Sequence, residues 1–211
     1  MIKFITTLLA LFMFSTSYAK EVKVGIILGF TGPIESLTPG MAAGAELAFN
    51  EASDSGALLG GSTVSSIRAD STCIDSAAAA SAAEFLISQG VTAIMGADCS
   101  GVTGAVLSNV AVPNGVPMIS PSATSPALTT AEDNGLFFRT APSDARGGEV
   151  LADITNDRGI SSVAITYVNT DYGVGLADVY EAAANARGIE VTAKTAHEGD
   201  KADYSAEVGV L

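Results

Sequence analysis

The sequence predicts an α/β fold in which parallel strands are joined by crossover helices, in two successive units. Two observations carry this. Short segments rich in β-branched residues alternate with longer helical ones along the chain, the pattern that parallel sheets with helical crossovers leave in a sequence. The Ala141-Pro142-Ser143-Asp144 stretch then ends one strand and opens a new helix-strand series, which marks a unit boundary.

Taken in order, the first nineteen residues stand apart from the fold. Lys3 precedes an apolar run from Phe4 to Phe14, and small or polar residues then lead to Ser17-Tyr18-Ala19. Small side chains at both positions that signal peptidase reads give a cleavable export signal over residues 1–19. The run is too short for a spanning helix, which needs about 20 apolar residues. No cysteine follows the cut, so a lipid-anchored form is not suggested. Without Lys3 the formal charge of −13 becomes −14. Such an acidic surface repels phosphate backbones and excludes nucleic acid as a partner.

Strands are expected at Val22–Leu28, Thr63–Ala69, Thr92–Met95, Pro117–Ile119 and Leu136–Arg139, then at Ser162–Val168 and Glu190–Thr195. Helices fall between them. Residues 39–52 put Met41, Ala45, Ala48 and Ala52 on one face. Residues 75–88 follow Thr72, with Asp75 in the place of the acidic partner of a capping box, and stop at Gly90. In residues 101–114 the Val112-Pro113 pair favours an extended break. Residues 144–158 and 172–187 stop at Gly159 and Gly188, where a left-handed glycine ends a helix well. The alanines at 77–83 suit a helix packed closely on a sheet.

Cys73 and Cys99 are the two cysteines. An oxidising compartment favours joining them, with two unpaired buried thiols as the alternative.

Ligands of open parallel sheets sit beyond the carboxyl ends of the strands. The loops there are residues 29–33, 96–101, 120–124 and 169–173, all rich in Gly, Ser and Thr, a composition suited to holding a small carboxylate through amides and hydroxyls. Enzyme signatures are missing: Gly25, Gly29 and Gly32 do not form a dinucleotide fingerprint, Ser100 is not in a nucleophile elbow, and His197 has no nucleophile beside it in the sequence. Asp75, Asp98 and Cys99 lack the spacing of a calcium loop. We therefore expect no catalysis, no cofactor and no metal.

Several segments, in order, resemble the periplasmic leucine/isoleucine/valine-binding proteins, the type I periplasmic binding proteins of branched-chain amino-acid ABC importers. They are the glycine-proline loop from Gly25 to Pro33, Asp70-Ser71-Thr72-Cys73, Ala97-Asp98-Cys99-Ser100, the run from Ile119 to Leu128, Phe138 to Asp144, and Asp171-Tyr172-Gly173-Val174-Gly175. The resemblance covers nearly all of residues 21–211. It implies two doubly wound parallel-sheet lobes with the second incomplete: an N-terminal lobe over residues 20–141 and a partial second lobe over 142–211. It places the disulfide between Cys73 and Cys99 and the ligand at Ser100, Ser122, Ala123, Thr124 and Tyr172. Ser100 would bond the ligand α-carboxylate, and Thr124 would bond the ligand through its hydroxyl and amide. The Ser122 carbonyl would accept from the ammonium, and Tyr172 would close over the ligand from the second lobe. Plain helix capping is the alternative for Ser100 and Thr124, and a core ring for Tyr172.

The implied function is a monomeric, periplasmic solute-binding protein that captures a small amino acid by lobe closure and presents it to a membrane permease. The alternative is a ligand-sensing receptor or regulator module for amides, urea or other amino acids. Two departures from the family pattern matter. Ser122 stands where small apolar residues are common, and Glu35-Ser36-Leu37 lacks the aromatic expected over an aliphatic ligand. Family members also run about twice as long, and the resemblance puts the acidic partner of the ammonium group beyond Leu211.

Overall fold

The computed structural model describes residues 19–199 and 201–211, so the export signal expected over residues 1–19 lies almost wholly outside the described residues. The first sheet holds five strands: β1 (Glu21–Leu28), β2 (Thr63–Asp70), β3 (Ala93–Gly96), β4 (Met118–Ser120) and β5 (Phe137–Arg139). Their spatial order is β2-β1-β3-β4-β5 and every pairing is parallel. The chain steps outward from β1 to β2 and then back across β1 to β3, so the direction of winding reverses there.

Helices cover the sheet on both sides because successive side chains of a strand point to opposite faces. Ile26 and Leu28 pack with Ala42 of α1 (Thr38–Asp54), whereas Ile27 packs with Ala79, Ala83 and Leu86 of α2 (Ser76–Ser88). All of these residues are fully buried. Fully burying an aliphatic side chain contributes about 1.5–3 kcal/mol, which is why β1, after its alternating start at Glu21-Val22-Lys23-Val24, ends in the unbroken apolar run Ile26-Ile27-Leu28.

The helix after β3 corrects one expectation. No extended break occurs at Val112-Pro113. Instead α3 (Ser100–Val106) runs through a π-helical turn at Leu107–Ala111 into a last short helix, α4 (Val112–Asn114). Pro113 lacks an N–H and its ring crowds the preceding turn. The wider turn absorbs both defects, and Gly115 at φ +65° ends the helix.

The second sheet has two parallel strands, β6 (Ser162–Val168) and β7 (Glu190–His197). They are preceded by α5 (Ala145–Asp157) and joined by α6 (Asp171–Ala186), and the short α7 (Ser205–Val208) follows β7. Gly148 lets α5 approach α6 closely, since a Cβ there would lie 2.6 Å from Val179 Cγ2 and 3.0 Å from the Tyr180 nitrogen. His197 ends β7, with its ring edge-on to Tyr204 at 5.2 Å between centroids.

Candidate ligand site

All five strands of the first sheet run the same way, so their carboxyl ends share one rim. The loops leaving β1, β2, β3 and β4 meet there, close to where the winding reverses. Together with the β6–α6 loop they enclose a cleft of about 690 Å³, within the range of about 300–1,000 Å³ common for small-molecule sites.

Asp98, only 3% exposed, holds the rim together. Its Oδ2 accepts the Gly29 N–H at 2.6 Å, and its Oδ1 accepts the Ser71 hydroxyl at 3.1 Å and the Cys99 N–H at 2.9 Å. One carboxylate thus ties the ends of β1, β2 and β3. Cys73 and Cys99 join in a disulfide between the β2 and β3 loops, with 5.2 Å between their Cα atoms. The capping box expected at Thr72 takes a different form. The Thr72 hydroxyl does accept the Asp75 N–H, at 3.0 Å, but the Asp75 carboxylate caps Ala77 and Ala78 instead of returning to Thr72. Thr72 sits at φ +58°, and its own N–H goes to Asp70.

Ser100 opens α3 and faces the cleft, 4% exposed. Its hydroxyl oxygen accepts the Ser125 N–H at 3.1 Å and makes no side-chain cap. The hydroxyl proton is therefore left to point outward. The N–H groups of Ser100, Gly101 and Val102 lie in the first turn, where no helix carbonyl can reach them; the Thr103 N–H is the first that bonds back, to the Cys99 carbonyl.

The β4–β5 loop supplies complementary groups. The Ser122 hydroxyl is occupied, donating to the Asp98 carbonyl at 2.9 Å. Among the described residues, however, the Ser122 carbonyl, the Thr124 N–H and the Thr124 hydroxyl have no hydrogen-bond partner, and Ser122 and Thr124 both line the cleft. Ala123 points away from it: fully buried, it donates its N–H to the Ser120 hydroxyl, and its carbonyl accepts from Arg139. Tyr172 enters from the second lobe on the first turn of α6, 44% exposed and facing the cleft rather than a core. The Thr170 hydroxyl caps this helix at the Gly173 N–H, 3.1 Å away.

The structure thus brings Ser100, Ser122, Thr124 and Tyr172 into one cleft and sets Ala123 behind its wall. It adds residues that no motif singled out. Ile34, Leu37, Met41 and Ile74 give the cleft an aliphatic lining, and Asp144 also lines it. Leu37 and Ile74 are 63% and 68% exposed. The sequence hint was their apolar character inside otherwise polar loops.

The periplasmic binding protein family model matches residues 21–209. The chain belongs to that family. Among relatives, "Leu/Ile/Val-binding protein homolog 3" of Brucella melitensis is 34% identical over 201 residues, which cover 93% of this chain and 52% of the relative. A leucine-binding protein structure from Thermotoga maritima superposes with a TM-score of 0.77 at 26% identity, covering 90% of this chain and 52% of that one. The isoleucine complex of a branched-chain amino-acid transporter substrate-binding protein from Streptococcus pneumoniae gives 0.74 at 27% identity, covering 90% and 53%. The fold is the type I periplasmic binding protein fold, and the chain spans about half the length of the curated relatives it matches.

Proposed function

We propose that this chain contributes the first lobe and part of the second to a periplasmic receptor that captures a small aliphatic amino acid and presents it to the permease of an ABC importer. One observation carries the reading: donors and acceptors left without partners converge on a single cleft. The Ser100 hydroxyl proton and the first N–H groups of α3 suit a carboxylate, because a helix start presents free donors and the positive end of the helix dipole. The Ser122 carbonyl faces the same space and suits an ammonium group, while the Thr124 N–H and hydroxyl add further contacts to the zwitterion. The aliphatic lining of Ile34, Leu37, Met41 and Ile74 suits an apolar side chain of leucine size, in place of the missing aromatic. Tyr172, from the other lobe, is positioned to cover the bound ligand, which favours the closed arrangement only as far as it adds contacts there. Relatives named for leucine, isoleucine and valine binding support the same reading.

The test is heteronuclear NMR titration of the 211-residue chain with L-leucine, with Ser100→Ala and Thr124→Val alongside. We expect saturable shifts at the first turn of α3 and in residues 122–124, weakened about tenfold by either substitution, since a hydrogen bond to a charged group contributes about 1.5–3 kcal/mol. Shifts confined to distant surfaces, or unaltered in both variants, would refute the reading.

A further inference from the structure

Thr124 meets the cleft from a loop with no regular structure of its own, residues 121–125, which lie between the end of β4 and a short 3-10 helix over Pro126–Thr129. A group carried on such a loop is aimed only as well as the bonds that fix the loop. Both neighbours of Thr124 are tied through their whole backbone. Ala123 donates its N–H to the Ser120 hydroxyl at 3.0 Å, and Ser125 donates its N–H to the Ser100 hydroxyl at 3.1 Å. The carbonyls of the same two residues accept from one nitrogen, Nη1 of Arg139, at 3.2 Å and 2.9 Å.

Arg139 is the last residue of β5, in register with Ser120 of β4, and the next N–H, that of Thr140, donates to the Ser120 carbonyl at 3.0 Å. Its backbone therefore belongs to the sheet while its side chain crosses to the loop. The second terminal nitrogen, Nη2, donates to the Thr129 hydroxyl at 2.5 Å. Arg139 makes no ion pair among the described residues, and it does not line the cleft. Two carbonyl oxygens drawn to one point repel each other through their partial negative charges. A cation between them turns that repulsion into attraction, and bonds from a charged donor are stronger than neutral ones. The planar guanidinium fork reaches the carbonyl pair and the hydroxyl together, which one ammonium nitrogen does not.

We infer that Arg139 is a positioning residue for the ligand loop: without touching the ligand, it holds the carbonyls on either side of Thr124 out of the cleft and so aims the Thr124 N–H and hydroxyl into it. This rests on the reading of the cleft as the ligand site. Arg139 acts on the ligand only through Thr124, so the two residues are energetically coupled.

A double-mutant cycle on L-leucine binding, read by NMR titration of the 211-residue chain, tests this coupling with wild type, Arg139→Gln, Thr124→Val and the pair. We expect Arg139→Gln to weaken leucine about tenfold. Thr124→Val, which costs about tenfold in the wild-type chain, should cost less than about threefold in the R139Q chain, because Thr124 is no longer aimed. A role in folding alone leaves the two losses independent. A full tenfold loss from Thr124→Val in the R139Q chain, or an R139Q chain with wild-type affinity, would therefore overturn the inference and leave the cleft reading standing. Arg139→Lys keeps the charge without the fork and should weaken leucine about threefold, a loss that disappears once Thr124 is replaced by valine. An R139K loss that persists beside Thr124→Val, or no loss at all, overturns the inference even where R139Q does not fold. Absence of saturable leucine binding by the wild-type chain would overturn the cleft reading and this inference together.

Discussion

The Ser100 hydroxyl accepts the backbone N–H of Ser125 at 3.1 Å, across the gap between the β3–α3 and β4–β5 loops. Both residues are almost fully buried, so the bond works in dry surroundings and fixes how far apart the two loops stand. It also commits the lone-pair side of Ser100 to the protein and leaves the proton for an outside acceptor. Replacing Ser100 with alanine would orphan the Ser125 N–H. The expected loss is about 1–2 kcal/mol of folding stability without any ligand present, read as a lower urea midpoint with an unchanged slope. An unaltered midpoint would show that water reaches the amide and that the bond has little structural weight.

Asp98 should matter more than any other single side chain of the rim. Asp98→Ala strips acceptors from the Gly29 and Cys99 N–H groups and from the Ser71 hydroxyl, which lie on three different loops. We expect a loss of about 2–5 kcal/mol. Asp98→Asn, which keeps one acceptor oxygen, should lose less. Thermal unfolding monitored by circular dichroism ranks the three proteins, and equal melting temperatures for wild type and D98A would refute the assignment.

Cys73 and Cys99 close a loop with a sequence separation of 26. In the chain-entropy model such a link restricts the unfolded chain enough to contribute about 3.5 kcal/mol. A double serine variant, or the wild type in dithiothreitol, should unfold at a correspondingly lower urea concentration. Because the bond joins the β2 and β3 loops, backbone amide exchange should rise most in residues 70–75 and 97–101. A uniform rise across the sheet would instead mean that the link acts only on the unfolded chain.

Asp70 links stability to acid pH. Burial by itself would raise its pKa, but the Thr31 hydroxyl at 2.6 Å and the N–H groups of Thr72, Thr31 and Phe30 outweigh that and hold it below the ordinary aspartate value. A depressed folded pKa adds stability that is fully present above the unfolded value near 3.9 and is lost as the pH falls through the folded one. Carboxyl ¹³C titration of Asp70 should therefore have its midpoint below that value. Thr31→Val should move it upward and narrow the acid range in which the fold persists; an unmoved midpoint would exclude Thr31 as the cause.

Much of the architecture was legible in residue order. All seven strands and the five main helical segments, with α3, its π turn and α4 taken as one, fall within two residues of their expected places, because β-branched runs, glycine stops and alanine-rich faces act locally. Pro113 was misread for the same reason: a local rule says that the residue before proline leaves the helix, while the packing of α3 under the sheet kept it helical through a π turn. The motifs around Ser100 and Thr124 point to two of the loops that line the cleft. They did not distinguish Thr124, whose polar groups face the cleft, from Ala123, whose backbone bonds turn inward to Ser120 and Arg139.

The sequence by itself determined the alternation of strands and helices, the two cysteines, the acidic surface, and the Gly, Ser and Thr loops on which a small anion can be held. Only the tertiary structure decided what each carboxylate does. Asp75 caps its own helix, Asp98 accepts from donors up to 69 residues away, and Asp144 lines the cleft with its Oδ2 buried and without a hydrogen-bond partner among the described residues. The reason is physical: an aspartate's role depends on which donors reach it, and those donors arrive from chain segments that meet only once the parallel sheet has brought the strand ends to one rim.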